Sequence, residues 1–316
     1  MSARFLLFGA ALALAACEIG APPGLGSSLR PAARPAALPS ADVYTPSLRS
    51  RELRSYYARL EQSQIARGLM RTDAGLVDAP FNARILADNF IQIALFDEHP
   101  GDKLGAGSRP TSTRLRKWQG PVRIGLEFGA SVPEAARAVQ VSQTRSYASR
   151  LAQVTGHPIG FTTSGSDNFT IFVVDEDERR ALGPTLKSLV PGIGDRTVEN
   201  IVGLPRNISC LVVAFSNQGT DVYRRAISII RAEHPPASWR SCLHEEVAQG
   251  LGLPNDSPRA RPSIFNDDEE FALLTGHDEL LLSMLYSSRL RPGMTAREAE
   301  PIIRQLAVEK LGTGAS

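Results

Sequence analysis

From Phe81 to Phe96 the apolar residues Ile85, Leu86, Phe90, Ile93 and Ala94 recur at close to helical spacing, so this segment reads as an amphipathic helix. A Gly/Ser/Pro loop from Gly101 to Thr113 separates it from Pro121–Phe128, where apolar and polar residues alternate as in a half-buried strand. A helix over Pro133–Thr155 leads to a second strand at Asn168–Val174. Asp175–Arg180 begins as a charged helix and gives way to a Gly/Pro-rich stretch. Cys210–Phe215 and Arg225–Arg231 follow as strands, the first a buried apolar run. A helix from about Pro236 to Leu251 is closed by Gly252, and two more cover His277–Tyr286 and Thr295–Leu311, the last opened by a capping box of Thr295 and Glu298. Strands come early and helices late, which predicts an α+β domain.

The N-terminus has another pattern. Met1-Ser2-Ala3-Arg4 is short and basic, and Phe5–Leu14 is an apolar stretch too short to span a bilayer, as in a signal peptide. It ends in Leu14-Ala15-Ala16-Cys17, which resembles the bacterial lipobox. That resemblance implies cleavage after residue 16 and a lipid on Cys17, hence a protein tethered in the bacterial cell envelope. An ordinary secretory signal cut near Ala16 is the alternative. From Ile19 to about Ser47 the chain is rich in Pro, Ala, Gly and Ser and buries too little apolar surface to offset its ordering entropy. Residues 17–50 therefore read as a flexible spacer and residues 51–316 as one globular domain, long enough to bury a full core.

Charge adds an exclusion. The formal net charge of +2 falls to +1 once Arg4 leaves with residues 1–16, so nothing in the overall charge favours nucleic acid. Of three cysteines, Cys210 and Cys242 remain after Cys17; one opens a strand, the other lies on a helix that should pack near it. Export to an oxidising compartment predicts a disulfide between them, against the alternative of two separate buried thiols.

The segment Cys242-Leu243-His244-Glu245-Glu246-Val247-Ala248-Gln249-Gly250-Leu251-Gly252-Leu253-Pro254-Asn255-Asp256 carries the candidate chemistry. On a helix, Trp239, Leu243, Val247 and Leu251 form one apolar stripe, while Cys242, Glu245, Glu246 and Gln249 cluster on another face. The segment resembles the metzincin zinc-protease helix, His-Glu-x-x-His-x-x-Gly-x-x-His. That resemblance places Glu245, Gln249 and Asn255 at the three metal-ligand positions, Glu246 at the general base and Gly252 at the turn. The spacing is complete but the histidines are gone. Glu, Gln and Asn offer oxygen donors, so zinc is disfavoured and an oxygen-ligated divalent cation such as calcium, magnesium or manganese is the cofactor such a site would take. His244, about 100° away from Glu245 around the helix, reads as a packed or surface histidine. Asn255-Asp256 and Asn266-Asp267-Asp268 lie on loops that can fold back toward Gln249. The plain alternative is a hydrogen-bonded helix face that organises the fold.

From about Arg84 to the C-terminus the chain is also similar to a bacterial family catalogued as domain of unknown function 2927. The matching pieces are Leu115-Arg116-Lys117-Trp118, Leu151-Ala152-Gln153-Val154-Thr155-Gly156-His157, the Cys242–Asp256 segment, Ser263-Ile264-Phe265-Asn266-Asp267, and Leu280 through Met294. Members of that family are largely lipoproteins of unknown activity.

Together these readings predict an α+β, zincin-like domain: a small twisted mixed sheet packed on an active-site-type helix, with a helical C-terminal part. The function expected is an envelope-tethered lipoprotein that binds a protein or peptide of the envelope without catalysis. The alternative is an unusual metal-dependent peptidase with Glu246 as general base.

Overall fold

A computed structural model describes residues 44–73, 78–97, 111–266 and 268–312; the expected signal peptide, Cys17 and most of the spacer lie outside these. In chain order the elements are α1 (Leu48–Ala66), α2 (Ala83–Ala94), the short strands β1 (Phe96–Asp97), β2 (Thr111–Ser112) and β3 (Lys117–Trp118), then β4 (Val122–Phe128) and α3 (Glu134–Thr155). Next come β5 (Ile159–Phe161), β6 (Phe169–Val174) and three short helices, α4 (Glu176–Arg180), α5 (Gly183–Leu189) and α6 (Asp195–Val202). The hairpin β7 (Cys210–Ser216) and β8 (Val222–Arg231) precedes α7 (Pro236–Gly252), α8 (Gly276–Leu285) and α9 (Ala296–Gly312).

Six strands make the main sheet. β5, β4, β6 and β8 run parallel, with Ile124 opposite Phe169 and Phe169 opposite Ala226, while β7 pairs antiparallel with the far side of β8. β3 pairs with the first two residues of β8, on the flank that β6 occupies further along. β1 and β2 form a separate antiparallel pair. β6 is central and buried at every position, which is why its sequence is apolar except for Thr170 and does not alternate.

Side-chain parity divides the core. Ile171, Val173, Ala226 and Ile230 point toward α2, α3, α7, α8 and α9, meeting Phe90, Leu151, Leu243, Leu251, Leu282 and Ile303. Phe172, Val174, Ile227 and Ile229 point the other way and meet Leu186, Val198 and Ile201 of α5 and α6. The sheet is therefore covered on both faces, the mixed α+β architecture with a helical C-terminal part that the pattern predicts.

α7 is held against the sheet by its stripe Trp239, Leu243, Val247 and Leu251, each at most 2 % exposed and each contributing roughly 1.5–3 kcal/mol by burial. Close approach depends on glycine: a Cβ at Gly250 would stand 2.6 Å from the Phe169 ring. Trp118 of β3 holds the helix as well, its Nε1 donating to the Gly250 carbonyl at 2.9 Å. It ends at Gly252, with φ of +128° and a position where any side chain would run into the Arg116 carbonyl oxygen.

Some elements depart from the expected pattern. α1 begins at Leu48, within the segment read as spacer, and its buried positions Ser50, Leu53, Tyr57 and Gln64 include too few apolar residues to make an amphipathic stripe. The Gly/Pro-rich stretch folds as α5 and α6, with Pro184 in the first turn of α5 where its missing N–H costs nothing. β8 starts three residues before Arg225, at Val222. On α2 the buried face is Leu86, Ala87, Asn89, Phe90, Ile93 and Ala94, with Ile85 only half-buried. The capping box of α9 forms: the Thr295 backbone N–H donates to the Glu298 carboxylate at 2.8 Å and the Glu298 N–H donates to Thr295 Oγ1.

A buried charge cluster lies where β6 and β8 end. Glu176 accepts hydrogen bonds from Arg179 at 2.6 Å, Arg180 at 2.8 Å and Arg231 at 3.0 Å, and pairs with Arg49 of α1 at 3.0 Å. α1 is fastened beside it: the Ser50 hydroxyl is within hydrogen-bonding reach of Asp175 and Glu233, and the Tyr44 hydroxyl donates to Asp175. Among the described residues no helix is long and apolar enough to cross a membrane.

Candidate functional site

The polar face of α7 meets the first residue of β7. Cys210 and Cys242 are joined by a disulfide with Cα atoms 5.9 Å apart, as their isolation among the cysteines predicts. Donor atoms of Cys210, Glu245 and Glu246 lie within 4.8 Å of one another, with Glu246 and Cys210 buried and Glu245 half-buried. The sulfur in this trio is bonded to another sulfur, so it carries no thiolate charge and the trio offers two carboxylates as ligands.

The remaining positions of the metzincin pattern are engaged elsewhere. Gln249 Nε2 donates to Asp256 Oδ1 at 3.3 Å, so the chain does return to the helix after Gly252, through Asp256. Asn255, 2 % exposed, is held by α2: its Nδ2 donates to the Gln92 carbonyl at 2.8 Å and its backbone N–H to the Ile93 carbonyl at 3.2 Å. The Asn255 amide oxygen is buried without a hydrogen-bond partner among the described residues. Two of the four pattern positions therefore meet in space beside the disulfide, Glu245 and Glu246, while the hydrogen bonds of Gln249 and Asn255 lead to different partners. Asn266 donates to the Ala260 carbonyl, and Asp267 lies outside the described residues. Met284 is fully buried within α8.

The opposite flank of α7 is built around His244. The ring is 5 % exposed and stacks on Tyr147 of α3, with centroids 4.0 Å apart and planes at 12°. The Tyr147 hydroxyl donates to the His244 carbonyl at 2.8 Å, and His244 Nδ1 accepts the backbone N–H of Leu274 at 3.1 Å. Burial, with Arg240 and Arg150 nearby, holds the imidazole pKa down to about 3. Of the two places open to it, packed or surface, His244 takes the packed one, and its ring is neutral. Its partners come from α3 and from the segment before α8, which local spacing around His244 does not announce.

A second device orders the segment between α7 and α8. Asp278, fully buried, accepts from Ser263 Oγ at 2.6 Å, the Ile264 N–H at 3.1 Å and the Thr275 N–H at 2.9 Å. Each donor would otherwise be a buried polar group with no partner, so one carboxylate holds the loop and caps α8 together.

No curated protein and no solved structure matches this chain. A family model does match, over residues 83–305, from the start of α2 into α9, and so takes in both flanks of α7. The span includes every segment on which the sequence is similar to domain of unknown function 2927, and the chain belongs to that family, described as "Protein of unknown function (DUF2927)".

Proposed function

We propose that this chain is a lipid-anchored protein of the bacterial cell envelope whose zincin-like domain binds an envelope protein or peptide and does not cleave it. The observation that supports the reading best is the engagement of the α7 pattern in the fold itself. Asn255 is fixed to α2, Gln249 to Asp256, and the carboxylates of Glu245 and Glu246 sit against a disulfide. Glu246 is 4 % exposed, whereas a general base must reach a water on the substrate. Anchoring is supported by Leu14-Ala15-Ala16-Cys17 at the end of a short apolar segment.

One observation favours a second reading. The partnerless buried amide oxygen of Asn255 is the kind of donor an oxygen-ligated divalent cation takes, and with Glu245, Gln249 and Asn255 as its ligands Glu246 would activate water for peptide hydrolysis.

The two are separated by measuring the metal content of the purified full chain and its cleavage of a mixed peptide library, for wild type and Glu246→Gln. The binding reading expects no stoichiometric cation and no cleavage in either protein. A bound divalent ion, with hydrolysis abolished by Glu246→Gln, establishes the peptidase instead. Fractionation of cells carrying Cys17→Ser tests the anchor: the variant leaves the membrane fraction, and equal retention of wild type and variant refutes lipidation.

A further inference from the structure

Between α3 and α7 lies a cleft of about 330 Å³, at the small end of the range typical of small-ligand sites. We propose that this cleft binds an oxyanion, a carboxylate or phosphoryl group carried by a small polar ligand or by a peptide end. The inference does not depend on whether the domain binds or cleaves, because it rests on the flank of α7 away from Glu246.

Every lining side chain, Tyr147 included, can donate a hydrogen bond, and the two that carry a fixed charge are arginines. α3 contributes Ser142, Gln143, Ser146 and Arg150 along one stripe, and α7 contributes Arg240 and His244, one turn apart. Arg240 is exposed and makes no ion pair or hydrogen bond among the described residues. Arg150 gives its Nε to Glu279 at 2.6 Å and one Nη2 hydrogen to the Leu274 carbonyl at 3.3 Å, which leaves three guanidinium hydrogens uncommitted. No carboxylate is among the lining residues; Glu279, the acid bonded to Arg150, is committed to that pair.

The floor of the cleft fixes the sign of the ligand. His244 Nδ1 accepts the Leu274 N–H, so the neutral ring must carry its hydrogen on Nε2. That nitrogen is a donor, and with Nδ1 occupied the ring has no lone pair to offer a cation. The stack on Tyr147 and the Tyr147–His244 carbonyl hydrogen bond lock the ring before any ligand arrives. Arg150 and Arg240 both line the cleft beside this neutral donor, and Glu279 pairs with Arg150 alone, which leaves the Arg240 charge without a counterion among the described residues. An oxyanion there supplies that counterion and accepts from the locked His244 ring and from the free Arg150 hydrogens. Both guanidiniums act on the same ring, since Arg240 and Arg150 are the charged groups that depress His244 further after burial.

The test is calorimetric titration of the purified full chain with inorganic phosphate and with N-acetyl-dialanine, whose free carboxylate is compared with its C-terminal amide. At least one of the two anions is expected to bind saturably, weakening with added salt, and the amide is expected not to bind. Phosphate without the peptide assigns a phosphoryl ligand, and the peptide without phosphate assigns a carboxylate. Arg240→Gln should weaken binding about ten-fold and leave the melting temperature unchanged, because Arg240 is an exposed residue that holds nothing else. Arg150→Gln tests the other wall, though it also breaks the pair with Glu279, so Arg240 carries the decision. In parallel, the ¹⁵N resonance of His244 Nε2 should move as the anion saturates the site. Failure of both anions to bind, binding equal in wild type and Arg240→Gln, or a bound anion that leaves the His244 resonance in place, overturns the proposal.

Discussion

Replacing Cys210 and Cys242 together by alanine removes the cross-link that ties the start of β7 to the middle of α7. Those residues are 32 apart in sequence, so in the chain-entropy model the bridge restricts the unfolded chain by about 3.7 kcal/mol at 25 °C. Both sulfurs are buried, at 9 % and 4 % exposure, so the double variant loses some packing as well. Reduction of the wild type separates the two effects, since it opens the cross-link and keeps both sulfur atoms. Urea unfolding followed by tryptophan fluorescence is a suitable assay because Trp118 and Trp239 both pack around α7. With a urea slope of about 3 kcal/mol per molar, the midpoint should fall by roughly 1 M on reduction and somewhat further in the double variant. A reduced wild type within about 0.5 kcal/mol of the oxidised protein refutes the reasoning. It would mean that the unfolded chain already keeps the two cysteines close, or that the bridge strains the native state by as much as it restricts the unfolded one.

Two further outcomes follow from single residues. Gly252→Ala should destabilise by about 2 kcal/mol or more, because it places a methyl group against the Arg116 carbonyl at a backbone angle alanine avoids; the same denaturation assay checks it, and a loss below about 0.5 kcal/mol contradicts the account of how α7 ends. His244 is buried and His234 half-buried, both neutral, with pKa values held down by desolvation to about 3 and about 4, so between pH 6.5 and 4 the unfolded chain binds up to two more protons than the folded one. Stability should therefore fall as pH drops through that window, at a limiting slope of about 2.7 kcal/mol per pH unit. Glu233, whose pKa burial raises, acts in the opposite sense, so Glu233→Gln should steepen the decline; a flat profile in both proteins refutes the assignment.

The legible parts of the fold are those where chain-local chemistry and tertiary environment agree. α7 could be read end to end because a proline opens it, a glycine closes it, and every fourth residue of its stripe is large and apolar. β6 could be read because a strand buried on both faces is nearly all apolar, Thr170 being its one polar residue. α1 could not, since it docks largely through Ser50, Arg49 and Tyr57 onto Asp175, Glu176 and the Arg206 carbonyl, all more than a hundred residues away. The site was legible in the same partial way. The helical spacing puts Glu245 and Glu246 beside Cys210, and after the turn at Gly252 Asp256 reaches Gln249. It gave no hint that Asn255 would be taken by the Gln92 carbonyl, a contact spanning 163 residues. Nor does periodicity pair Arg150 with Arg240, since they lie on separate helices that meet only when Tyr147 stacks on His244.

The fastening of α1 also has a mechanical meaning. The described chain starts at Tyr44, and a pull applied there loads Tyr44–Asp175, Ser50–Asp175, Ser50–Glu233 and Arg49–Glu176 before it reaches any apolar contact of the sheet. These bonds hold α1 to the ends of two neighbouring parallel strands, β6 and β8. Behind them, Arg179 and Arg231 tie Glu176 to the carbonyls of Ile201 and Leu204, so tension spreads across the sheet's edge and into the α6 layer. Unfolding from this side would thus begin at α1, a polar clasp none of whose residues lines the α3–α7 cleft.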